Sequence, residues 1–523
     1  MEIEMTKQFN YDDLPVIQTK QGKIRGYQSG GTYIFKGIVY ARAKRFQKPE
    51  EPECWDGIKE AASYGYVSPM LQEDVPNGEL MVPHRYWIQN ENCQNLNIWT
   101  QSLDKMAMRP VLVWFHGGGF SMGSSIEQKA YNGENMSKYG DVVVVTVNHR
   151  LNILGYLDLS QYGEKYADSA NAGQEDLIAA LKWIKENIKE FGGNSQNVTI
   201  FGQSGGGMKV SGLMQMKEAD GLFQKGIIMS GVPDKSYKYS DKDSTPLITA
   251  LLEELNFTED EVEKLEDIPY AQLAQAYNKV SPKLEAEGEY VGCTPKPNDF
   301  YKGEGPDVGF RKEATKIPLM IGSVFGEFYM KPQTFFKDEI SKEELMKRIG
   351  DRFGDWGEEL SDVFQEVYPE KNLADLLTLD TVFRCPTKKF IKEFAKSGGK
   401  IYSYLFTLEF PYQHGKTAWH CSDIPFVFHN TELVPVTNIP EISDKLEKQM
   451  FDAVIHFAET GDPNHLGIPQ WPVSTEDREA TMIFDRVCTV RFNFDDSLLE
   501  LYKKALPNLT LANITQEDNQ IQH

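Results

Sequence analysis

The chain reads as an α/β protein built on one large, mostly parallel sheet. Three stretches carry that reading. Val142-Val143-Val144-Val145-Thr146-Val147 is apolar on both faces, as a central parallel strand covered on each side by helices must be. From Asp176 to Phe191 the apolar residues Leu177, Ile178, Leu181, Ile184, Ile188 and Phe191 recur at helical spacing. A β-branched run, Val198-Thr199-Ile200-Phe201, then stops abruptly in Gly202-Gln203-Ser204-Gly205-Gly206, with a helix expected beyond Met208. Strand, helix and strand in succession put the elements around one sheet.

Taken in order, the chain opens with short strands and turns. Val16 to Thr19, Lys23 to Gly26, Tyr33 to Phe35 and Gly37 to Ala41 read as antiparallel strands ahead of the main sheet. Asn95 to Trp99 and Val111 to Phe115 are apolar runs of strand length, and the second ends in His116-Gly117-Gly118-Gly119-Phe120. Gly192-Gly193 closes the long helix, and the strand into Ser204 is expected about six residues later. Gly226 to Ser230, Pro318 to Gly322 and Ile401 to Phe406 follow as further core strands, the last expected to be the final one. The charged, helical stretches at about 234–317 and 338–398 read as insertions in a single domain spanning 1–523. Phe451 to Glu459 is a helix, and the tail beyond Leu506 is polar.

Composition excludes several function classes. A net charge of −22 over 523 residues repels phosphate backbones and anionic lipid, so neither nucleic acid nor a membrane surface is an expected partner. There is no apolar run long enough to cross a membrane, and Met1 to Lys7 is too polar for an export signal. The six cysteines lie far apart, without metal-ligand spacing, so no metal is expected and a reducing cytoplasm is.

Gly-x-Ser-x-Gly alone is weak, since about 0.2 matches arise by chance in a chain of this composition. It gains weight from what else the chain supplies. A serine hydroxyl needs an imidazole to take its proton. His420, in Trp419-His420-Cys421-Ser422-Asp423-Ile424-Pro425-Phe426, lies far downstream of the serine; His414 is its local rival, and Asp423 could orient either ring. An acid belongs between serine and histidine at a strand end, the chain order of α/β-hydrolases, and Glu327 stands there after Ile321 to Gly326. Three glycines after His116 let backbone N–H groups turn toward one point. Two of these with the N–H of Gly205 would form an oxyanion hole, each donor contributing about 3–4 kcal/mol to transition-state stabilisation.

With these motifs in place the chain resembles the type-B carboxylesterases, the cholinesterase-like branch of the α/β-hydrolases, and most of all bacterial para-nitrobenzyl-esterase-like members. The resemblance runs from about Val16 to Trp471. It is carried by Glu91 to Trp99, His116 to Phe120, Asn148-His149-Arg150-Leu151, Ala180 to Asn194, Asn197 to Gly202, His420 to Phe428 and Phe457 to Asn464. It implies the α/β-hydrolase fold and a bacterial carboxylic-ester hydrolase working through an acyl-enzyme, with Ser204, Glu327 and His420 as its triad. It favours His420 over His414, assigns Gly118, Gly119 and Gly205 as oxyanion donors, and makes Ser230 a buried support of the triad. It implies no cofactor; a small-molecule ester and water are the partners, and a monomer suffices. Phe120, Met122 and Met208 are near enough in sequence to line a pocket. The alternatives are a non-catalytic binding relative, or the same triad acting on amides, carbamates or thioesters.

Three departures stand out. Relatives carry Glu-Ser-Ala where this chain has Gln203-Ser204-Gly205, which removes a carboxylate from beside the histidine. Gly326 and Phe328 replace an acid and a glycine around Glu327. The stretch from Ser63 to Gln72 lacks the cysteine that bridges to the Cys93 position in secreted members.

Overall fold

The computed structural model describes residues 14–72, 79–233, 242–329, 335–511 and 513–514. Strands β1 (Val16–Gln18), β2 (Lys23–Arg25) and β5 (Ile58–Glu60) form a small sheet. The large sheet contains β3 (Tyr27–Ser29), β4 (Thr32–Val39), β6 (Asn95–Thr100), β7 (Arg109–Phe115), β8 (Val143–Val147) and β9 (Gly193–Gln203). It continues with β10 (Lys225–Met229), β11 (Leu319–Val324), β12 (Ile401–Phe406), β13 (Ala480–Phe484) and β14 (Thr489–Phe492). Its order is β14-β13-β12-β11-β10-β9-β7-β8-β6-β4-β3. From β8 through β13 every neighbouring pair is parallel, and the strands outside them are antiparallel.

The expected fold class holds, and the differences have local causes. The runs Tyr33 to Phe35 and Gly37 to Ala41 fall on one strand, β4, which ends at Val39 and accommodates a register shift between Phe35 and Ile38. Gly37 makes the slip feasible: φ is +66°, and a Cβ there would lie 2.7 Å from the Ser63 carbonyl oxygen. The long helix starts earlier than its apolar period indicated, at Ala172, and ends at Asn187 in a tighter turn, Ile188–Phe191. The strand into Ser204 begins directly at Gly193. Nor is Ile401–Phe406 the last strand, since β13 and β14 close the sheet beyond it.

The period-two pattern of the strands divides the interior in two. Leu112, Trp114, Val144, Phe201, Ile227 and Met320 point into one core, and Val111, Val113, Val145, Ile200, Ile228 and Ile321 into the other. The helix Gly205–Met214 packs on β9 and β10. In the stretch after β10, Leu247, Leu251, Leu273 and Tyr277 pack with Ile153, Leu157 and Tyr166 in a separate core. Phe390, Ile391 and Phe394 of the helix Arg384–Lys396 belong to the core under β11 and β12, the crossover that two parallel strands require.

Candidate active site

β9 runs into Ser204, where the chain reverses into the helix Gly205–Met214. Ser204 takes φ 57° and ψ −127°, a conformation costing on the order of 1–3 kcal/mol for a residue with a Cβ. Its neighbours explain how the turn is held. A Cβ on Gly206 would lie 1.9 Å from the Phe115 carbonyl oxygen, and one on Gly202 would lie 2.4 Å from the Gly206 carbonyl carbon. Only hydrogen at these positions lets strand, helix and the end of β7 close on one another. The Ser204 N–H donates to the Met229 carbonyl at 2.8 Å, tying the turn to the end of β10.

Glu327 follows β11 and is buried, with φ 27°. One carboxylate oxygen, Oε1, accepts from Ser230 Oγ at 2.7 Å and from the Val324 N–H at 2.9 Å. The other, Oε2, accepts from His420 Nδ1 at 2.5 Å. The His420 N–H also donates to the Glu327 carbonyl at 2.7 Å, so backbone and side chain both fix the ring. A carboxylate can only accept, so the proton sits on Nδ1 and Nε2 is left to receive one. Phe328 stacks on the ring at a centroid distance of 4.3 Å, and Phe383 lies 5.6 Å away.

Gln203 is fully buried beside this ring, its Nε2 lying 3.2 Å from His420 Nε2 and 3.3 Å from Nδ1. Its Oε1 accepts from Cys421 Sγ at 3.2 Å. Among the described residues the Ser204 hydroxyl has no hydrogen bond to the ring, a looseness common in ligand-free serine sites. Two further acids flank the pair. Asp380 accepts three backbone N–H groups, from Val382, Phe383 and Arg384, yet burial and then Glu327 push it well above the usual carboxylate range. Burial pushes Asp423 up to about 7 despite the hydroxyl of Tyr404, which donates to it at 2.9 Å. Among the described residues Asp423 makes no hydrogen bond to either histidine; His420 bonds Glu327. His414 lies at the surface, paired with Asp338 at 3.1 Å.

The glycine loop after β7 is held carbonyl by carbonyl. The His116 carbonyl accepts from Lys209 Nζ at 3.0 Å, and the Gly117 carbonyl from His116 Nδ1 at 2.9 Å. The Gly118 carbonyl accepts from the N–H groups of Ser121 and Met122. A peptide plane that fixes a C=O also fixes the next N–H opposite to it, so these bonds orient the N–H groups of Gly118 and Gly119. Neither they nor the N–H of Gly205 has an acceptor among the described residues. Gly119 presses on the helix start: a Cβ on Gly205 would lie 2.1 Å from the Gly119 carbonyl oxygen.

Beside the turn, Phe120 and Met208 line a cavity of about 50 Å³ with Val232, Pro233, Pro295 and Tyr301. Met122 is not in its lining and is 56% exposed. Sequence reasoning passed over Asp380, Phe383 and Lys209. Nothing in a lone lysine or aspartate distinguishes a buried member of such a site from a solvated one.

A sheet of this order with a serine at the strained strand-to-helix turn is the α/β-hydrolase fold, here in an enzyme that hydrolyses carboxylic esters. The chain belongs to the carboxylesterase family, whose model matches residues 13–497. It is 30% identical over 509 residues to the para-nitrobenzyl esterase of Bacillus subtilis (strain 168), covering 94% of this chain and 99% of that one. Among solved structures it resembles an esterase from anaerobic Clostridium hathewayi, described as able to hydrolyse aliphatic aromatic polyesters. That match has a TM-score of 0.94 and 71% identity, over 96% of this chain and 100% of the other. A Geobacillus stearothermophilus carboxylesterase matches with a TM-score of 0.72 and 30% identity, over 93% and 99% of the two chains.

Proposed function

We propose that ester hydrolysis proceeds through an acyl-enzyme on Ser204. His420 takes the serine proton at Nε2 and returns it to the leaving alcohol, while Glu327 fixes the ring tautomer and stabilises the imidazolium. The N–H groups of Gly118, Gly119 and Gly205 receive the oxyanion, and water deacylates the enzyme by the reverse route. The observation that carries this reading is the 2.5 Å bond from His420 Nδ1 to a buried Glu327, placed beside a serine in strained backbone. Ser204→Ala is expected to lower turnover of a p-nitrophenyl ester by about 10⁶-fold. Retention of most of the activity would remove Ser204 from the mechanism.

For the substrate, the small cavity at Phe120 and Met208, whose lining also includes Glu304 and Lys389, is the nearest described space for an acyl group. The 71% identity to the Clostridium hathewayi esterase supports aliphatic aromatic polyesters as a substrate class for this chain too. Release of an aromatic diacid from a film of such a polyester, lost in Ser204→Ala, is the expected result; a film left intact by enzyme that cleaves p-nitrophenyl esters would exclude it. A reducing, cytoplasmic setting fits the six free thiols.

A further inference from the structure

The helix that follows Ser204 carries a charge for which the triad has no use. Lys209 is fully buried, its Nζ donates to the His116 carbonyl at 3.0 Å, and it lies 5.8 Å from the centroid of the Phe120 ring. An ammonium has three donors, and the His116 carbonyl accepts one of them. Among the described residues no carboxylate comes within ion-pair distance of it. The titratable groups around it are His116, His149 and, from further off, Glu127. The two rings stack at a centroid distance of 5.1 Å and donate Nδ1–H to the carbonyls of Gly117 and Arg150. Burial first, then Lys209, holds both far below the usual histidine range, so neither ring adds a charge.

Stability does not account for a lysine here. Taking a cation out of water without a counter-charge is costly, and an apolar side chain would fill the same space without that cost. What lies beyond the His116 peptide is the glycine loop. We propose that Lys209 is a positioning residue for the oxyanion: its ammonium holds the His116 carbonyl, and with it the loop, and presents positive charge to the anion that forms at Gly118 and Gly119. This rests on the reading of those glycines and Gly205 as the oxyanion donors. A charge without a partner in the resting enzyme gains one only when the tetrahedral adduct forms, which is the condition for an interaction to accelerate the chemical step.

Burial also pulls Lys209 down from 10.5 to about 7. The ammonium is therefore half lost at about pH 7 and fades as pH rises further, so kcat should carry an alkaline limb. The effect on stability has the opposite sense. Between pH 7 and 10.5 the unfolded lysine holds a proton that the native one has released, so the fold gains stability as pH rises through that window.

The test compares wild-type enzyme with Lys209→Met, measuring kcat and KM for a p-nitrophenyl ester from pH 6 to pH 10, with melting temperature at pH 6. The wild type should lose about 10-fold in kcat across the alkaline limb with little change in KM. Lys209→Met should show kcat lowered about 10- to 100-fold near pH 6.5, no alkaline limb, and a melting temperature equal to or above that of the wild type. A wild-type kcat that stays flat to pH 10, or a folded Lys209→Met with wild-type kcat, would overturn the proposal; if the variant does not fold, the wild-type limb alone decides. Phosphonate labelling of the wild type separates the two levels. Failure to label Ser204 sinks the reading of the site, whereas a labelled enzyme with a flat profile sinks only the role of Lys209.

Discussion

Gln203 places a neutral amide against the ring of His420. Its amide nitrogen sits 3.2 Å from His420 Nε2, at the position where the resemblance read from the sequence implies a carboxylate. An anion at that distance favours the imidazolium, the form that cannot take the serine proton. Gln203→Glu is therefore expected to move the acidic limb of kcat/KM upward by about one pH unit, and matching limbs in the two profiles would refute it. Of the proposed triad, Ser204 was legible because it ends the strand-like run after Val198 to Phe201, whereas the choice of His420 over His414 and of Glu327 came from the family pattern around them. Lys209 and Asp380 were not legible. Their burial is decided by segments distant in the chain, His116 and Glu327, and no local pattern records such a meeting.

At the scale of elements, the decisive contact is between the glycine loop after β7 and the start of the helix Gly205–Met214. The two touch so closely that Gly205 and Gly206 have different parts. A Cβ on Gly206 would lie 1.9 Å from the Phe115 carbonyl oxygen, within the sheet itself, so Gly206→Ala disrupts the fold. A Cβ on Gly205 would lie 2.1 Å from the Gly119 carbonyl oxygen, in a loop whose preceding carbonyls are all hydrogen-bonded. Although the family pattern has alanine at this position, in this chain the loop packs against a bare glycine, so Gly205→Ala should lower kcat and melting temperature together, measured on one preparation. Unchanged kcat would show that the loop position does not matter. Apolar runs made β7, β8 and β9 readable, with glycines soon after β7 and around the end of β9. β13 and β14 escaped because Ala480–Phe484 is short, follows the charged stretch Glu476 to Glu479, and is identified as a strand only by pairing with β12.

Across the whole molecule, two cores on opposite faces of one sheet hold together segments that lie far apart in the chain. Behind the site, an ion network ties the crossover helix to the last strands. Arg384 Nε donates to Asp495 at 2.7 Å and Nη1 to Glu479 at 2.7 Å, while Lys388 joins both acids. Burial pushes Glu479 up, but Arg384 and Lys388 outweigh it and hold the carboxyl down at about 2. The stability this contributes is present above the ordinary carboxylate range and is lost as pH falls toward 2. Arg384→Met leaves two buried acids short of a partner and should cost about 3–5 kcal/mol in denaturant unfolding at neutral pH; a loss below about 1 kcal/mol would mean the network is replaceable. The central claim, that Ser204 is the atom acylated, is tested most directly by intact and peptide mass measurement after exposure to an organophosphonate ester. One adduct per chain on the peptide carrying Ser204, with esterase activity lost in proportion, is the expected result. Loss of activity with the adduct on any other residue, or full activity with Ser204 modified, would contradict the account.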